Sequence, residues 1–147
     1  MAMPTLPITL AAASGAAFIN IWLATRAGGA RGKAKVSIGD GGNLQLIARM
    51  RAHANFVEYT PFVLFLLGLI ELNIGSPAWL WGVAGAYLFG RIGHGLGMSG
   101  LPKGRSIGIT ITMLVLSGLG IYAAILPLVH TSTAPAARAV EGVPARG

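Results

Sequence analysis

The sequence predicts an all-α integral membrane protein whose protomer is a four-helix bundle. Three observations lead there: a composition too apolar for water, four apolar segments of spanning length, and a lopsided distribution of basic residues. Of the 147 residues, 54% are hydrophobic and 10% charged, whereas a soluble domain carries about 25% charged residues. Such a chain cannot cover a water-facing surface, so soluble globular enzymes are excluded. Disordered chains, which are polar and highly charged, are excluded too. The 11 Lys and Arg exceed the 4 Asp and Glu, giving a net charge of +7. On an apolar chain this excess belongs to cytoplasmic loops and lipid headgroups rather than to nucleic acid. There is no cysteine, which excludes disulfides, thiolate metal sites and a cysteine nucleophile. Any thiol chemistry needs a thiol from outside.

A membrane-crossing helix needs about 20 mostly apolar residues. The first segment runs from about Leu6 to Thr25. Its Ala11-Ala12-Ala13-Ser14-Gly15 run resembles a leader cleavage region, but no basic residue precedes it, which argues against a signal peptide. Gly39-Asp40-Gly41-Gly42-Asn43 follows as a turn, and Asn43 is placed to cap the next helix. The second segment spans about 44–73. Roughly 30 helical residues extend about 45 Å, more than a bilayer core. Its polar first half, with Arg49, Arg51, His53 and Asn55, therefore belongs at or beyond the membrane face. The third segment covers about 78–98 and carries Gly93 and Gly97, a pair that permits close helix contact. The fourth covers about 106–130, and residues 131–147 read as a flexible tail. The first and third loops hold Arg26, Arg31, Lys33, Lys35, Lys103 and Arg105, while the second, around Gly75-Ser76-Pro77, holds no basic residue. The positive-inside rule then puts loops one and three in the cytoplasm and both termini outside.

Ionisable residues within spans are costly and usually face a bundle interior or a watery cavity. Arg51, Asn55, Glu58 and Phe62 recur at i, i+4, i+7 and i+11, which places them on one helical face. A cation, an amide and a carboxylate in that order suit a zwitterionic ligand. They equally suit a ladder of interhelical hydrogen bonds. Arg91 and His94 share a face of the third segment. Arg91 has snorkelling to headgroups as its alternative, and His94 a packed core position. Glu71 reads as an interface residue at the far end of the second segment. Arg105 and Ser106 open the fourth helix, where free N–H groups and the positive dipole end favour an anion. A thiol held beside them has its thiolate favoured. His53, His94 and Glu58 lack a zinc spacing, so no metal is expected.

Arg51-Ala52-His53-Ala54-Asn55-Phe56-Val57-Glu58-Tyr59-Thr60-Pro61 resembles the signature of the MAPEG family, membrane-associated proteins in eicosanoid and glutathione metabolism. Tyr87 to His94, the Arg105-Ser106 pair and Arg31 with Lys35-Val36-Ser37 are also similar. The Gly-Asp-Gly-Gly-Asn turn is most like a bacterial branch, which implies a bacterial inner membrane. The resemblance implies a homotrimer that binds glutathione as co-substrate on the cytoplasmic side, between protomers. Arg51, Asn55, Glu58 and Tyr59 would hold it from one helix, Arg31 from the first loop, with Arg91 and His94 nearby. Arg105 would come from the adjacent protomer and stabilise the thiolate, with Ser106 as the alternative thiol contact. The sequence departs at Met98, where the glutathione-using leukotriene C and prostaglandin E synthases have a tyrosine, and at Ala54, where the latter have an arginine.

The leading expectation is therefore a membrane glutathione transferase or glutathione-dependent peroxidase acting on a lipophilic electrophile. A non-catalytic lipid-binding or scaffold trimer of the same fold is the alternative, motivated by Met98. A small multidrug exporter of similar size is disfavoured, because residues 6–25 contain no acid to carry a proton.

Overall fold

The computed structural model describes residues 5–130, and the expected tail at 131–147 lies outside them. Four helices follow one another: α1 (Pro7–Ala34), α2 (Leu44–Ile74), α3 (Ala78–Gly97) and α4 (Gly104–His130). They form an all-α, membrane-type bundle. Two clusters build the interior. One joins Ile8, Leu67, Ile70, Leu80, Tyr87 and Leu119, and the other joins Ala16, Ile19, Leu23, Ala52 and Phe56. Large apolar side chains such as Phe18, Phe62, Phe65, Phe89, Leu114 and Ile121 point outward. That exterior matches a hydrocarbon solvent rather than water.

Three helices, α1, α2 and α4, are long and apolar enough to cross a membrane. The third segment falls short because of its glycines, Arg91 and His94. Both of those polar residues are buried, so the low apolarity of α3 reflects what it turns to the interior.

Each helix end has a local cause. α1 begins with Pro7, a favoured first-turn residue, and Leu6 gives it no side-chain cap. The cap comes from Glu71 at the far end of α2. Its carboxylate accepts from Ile8 N at 2.9 Å, Thr9 N at 2.8 Å and Thr9 Oγ1 at 2.7 Å. Ser76 Oγ donates to it as well, at 2.6 Å. Glu71, expected at the membrane interface, is buried at 2% exposure near the end of α2, and a carboxylate at a helix N-terminus is stabilised by the unpaired N–H groups. α1 runs past the apolar stretch to Ala34 and stops where Lys35 turns left-handed at φ 52°. Gly39, Gly41 and Gly42 all have positive φ in the turn that follows, a conformation glycine adopts without cost. Asn43 then caps α2 by accepting from Leu46 N at 3.0 Å, as expected.

Candidate functional site

α3 and α4 approach so closely that their backbones nearly touch. A Cβ built on Gly97 would collide with the backbone nitrogen of Arg105, and one on Gly104 would lie 2.8 Å from Gly93 O. One on Gly108 would lie 2.6 Å from His94 Cβ. This small-residue seam, half of which was visible as the Gly93/Gly97 pair, sets the start of α4 against the end of α3. The His94 ring is tied there, with Nδ1 3.3 Å from Arg105 O.

The seam and the polar first half of α2 enclose a cavity of about 390 Å³. Arg51, Asn55, Glu58, His94, Met98, Arg105 and Ile109 line it. Its size lies in the range of small-molecule sites. Two guanidinium groups stand with one carboxylate, one amide and one imidazole. The stripe expected on α2 thus shares a cavity with His94 and Arg105. Within one protomer, Arg105 of the same chain already lines this cavity.

Arg91 stands behind the cavity wall at 1% exposure. It donates from Nη2 to Asn55 Oδ1 at 3.0 Å and from Nη1 to Thr112 Oγ1 at 3.2 Å. Its guanidinium also lies 5.5 Å from the centre of the Phe56 ring. The snorkelling alternative is overturned, because the guanidinium is buried between α2 and α4, with both terminal nitrogens bonded there and only Nε left without a partner among the described residues. Arg91 presents the Asn55 amide to the cavity and adds positive charge behind it.

Besides Arg91, three expected site residues do not line the cavity. Arg31 is held by the first loop: Nη1 donates to the carbonyls of Val36, Ser37 and Gly39, the last at 2.8 Å. Its Nη2 lies 3.4 Å from Met50 Sδ. Tyr59 is half-buried, one turn beyond Asn55 on α2, and is not among the lining residues. Ser106 is exposed, one residue from Arg105 and turned by about 100° around the helix. Sequence reasoning missed Ile109 and Thr112. Their signal was present, since Arg105, Ile109 and Thr112 stand at i, i+4 and i+7 on α4. Among the described residues no group of His, Asp and Glu is arranged to hold a metal.

A family model described as the MAPEG family matches residues 9–125. The chain is also 38% identical over 61 residues to the inner membrane protein YecN of Escherichia coli K12, and equally to YecN of a second Escherichia coli strain. Those matches take in 41% of this chain and 46% of the relative, so less than half of the curated relative's length is covered.

Proposed function

The chain belongs to the MAPEG family, and from that premise we propose that it is a membrane glutathione transferase or glutathione-dependent peroxidase. The observation that carries the reading is the cavity shared by Arg51, Asn55, Glu58, His94 and Arg105. Glutathione has two carboxylates, one ammonium and a thiol. The guanidinium of Arg51 suits a carboxylate, Glu58 suits the ammonium, and the Asn55 amide can serve either. Arg105 and the first turn of α4 supply positive charge for the thiolate. The thiol proton leaves to water, and the sulfur attacks a lipophilic electrophile arriving from the bilayer. A C–S bond forms and the leaving group departs with its electron pair. With a hydroperoxide, the thiolate instead attacks the terminal oxygen, the O–O bond breaks, and the alkoxide takes a proton from water and leaves as alcohol; a second glutathione then displaces water from the resulting sulfenic acid to form the disulfide. Tyr59, Ser106 and Arg31 enter this reading as contacts that form on assembly of a homotrimer. The setting is a bacterial inner membrane, as for the YecN relative, with the cavity on the cytoplasmic side.

One observation favours a second reading, a non-catalytic lipid-binding or scaffold trimer. Met98 lines the cavity with a thioether, a weak acceptor that donates no hydrogen bond to a thiol or peptide group.

The ultraviolet difference spectrum of detergent-purified protein with glutathione separates the two. The enzyme reading expects a saturable thiolate band that Arg105→Ala abolishes. One charge-assisted contact contributes about 1.5–3 kcal/mol, so turnover with a simple electrophile should fall about ten- to a hundredfold in that variant. A band that survives Arg105→Ala removes Arg105 from thiolate stabilisation. Absence of both band and glutathione binding in the wild-type protein leaves the scaffold reading.

A further inference from the structure

A second polar cavity, of about 210 Å³, lies between α1 and α2 and is lined by Arg26, Gly29, Ala30, Lys33, Gln45 and Arg49. It shares no lining residue with the larger one. Three cations meet there without a carboxylate. The three acids among the described residues are committed elsewhere. Asp40 accepts from Gly42 N in the turn, Glu58 lines the other cavity, and Glu71 caps α1 at the opposite end of the bundle.

Arg26 is fixed at the edge of this cavity by contacts outside it. Arg26 donates from Nη2 to Ser99 Oγ at 2.6 Å and stacks 4.8 Å from the centre of the Trp22 ring. Its guanidinium is close enough to Arg49 for the two charges to repel. Among the described residues Arg49 Nε, like Arg91 Nε, is buried with no hydrogen-bond partner, a costly state for a charged donor. A bound anion relieves the repulsion.

Charge and size narrow the ligand. A single carboxylate leaves two of the three cations unbalanced, whereas a phosphate monoester carries up to two negative charges and three acceptor oxygens. The volume lies below the usual range for drug-sized ligands, so it suits one anionic group and not a nucleotide. Depth narrows it further. Arg26 directly follows the apolar stretch that ends at Thr25, the level at which lipid phosphates lie.

We propose that Arg26, Lys33, Gln45 and Arg49 form a binding site for a phosphate dianion, either the phosphomonoester of a lipid headgroup or free phosphate. The full chain in detergent is unfolded thermally with added inorganic phosphate, with short-chain phosphatidic acid, and with phosphatidylcholine of the same chain length, at matched ionic strength. Saturable stabilisation by phosphatidic acid alone supports the site and identifies a lipid source. Saturation by inorganic phosphate as well supports it with free phosphate sufficient. Affinity should fall about tenfold in Arg49→Gln and about threefold in Lys33→Gln, and stay unchanged in Arg51→Gln on the other cavity. Lys33 is exposed, so its variant keeps the test open if Arg49→Gln does not fold. The proposal is overturned if neither phosphate compound outperforms phosphatidylcholine. It is equally overturned if the Arg49 and Lys33 variants bind as wild type, or if binding is lost in Arg51→Gln instead.

Discussion

Glu71 and Asn43 each cap a helix, one across 63 residues and the other across three. A glutamine at position 71 keeps one acceptor oxygen in place of two. Ile8 N and Ser76 Oγ share one carboxylate oxygen, and Thr9 N and Thr9 Oγ1 share the other, so Glu71→Gln strands donors at the start of α1. The expected loss is about 1–3 kcal/mol, read as a lower unfolding midpoint by circular dichroism in detergent. Asn43→Ala should cost about 1 kcal/mol in the same measurement; equal midpoints for wild type and Glu71→Gln would remove the capping role. The pair also marks what a sequence makes legible. Asn43 was readable because a cap acts on the residues next to it. Glu71 was not, because its partners come from a helix whose packing no local pattern specifies. Arg91 follows the same logic: its burial potential was visible, but the identity of Thr112 and Asn55 as acceptors required three helices in place.

Spacing along single helices made much of the cavity legible, and packing between helices decided the rest. Arg51, Asn55 and Glu58 share a face on α2 by periodicity alone. That α4 brings Arg105 to that face depends on Gly97, Gly104 and Gly108, which let two backbones close together. Gly97→Ala inserts a methyl group where the Arg105 backbone nitrogen stands, so α4 must shift. Overpacking of this kind costs about 1–3 kcal/mol, and glutathione binding should weaken along with the unfolding midpoint, because Arg105 is carried away from the α2 stripe. Gly82 has nothing within 4 Å of a built Cβ, so Gly82→Ala should leave both readings within error of wild type. If the two variants behave alike, the α3–α4 seam does not position the site.

Crossing the membrane is a property of the whole chain, and α3 is the element that tests it. Its average apolarity is too low for a spanning segment, yet its two polar side chains, Arg91 and His94, are 1% and 5% exposed. A helix whose polar side chains are buried inside a bundle can cross, because the lipid meets only its other face. If α3 crosses, the positive-inside rule expects the basic loops on one side and the loop between α2 and α3 on the other. The chain contains no cysteine, so single introduced thiols report without background. Ser37→Cys in the first loop, Asn73→Cys at the end of α2 and Lys103→Cys in the third loop are each treated in intact cells with a membrane-impermeant maleimide. The expected pattern is labelling at position 73 alone, with 37 and 103 reacting only after the membrane is opened. The reverse pattern would invert the orientation and move the cavity to the outer side. Agreement of 73 with 103 would mean that α3 does not cross. In that case Arg91 would need a different explanation, since only a crossing helix must hide a guanidinium that has no carboxylate beside it.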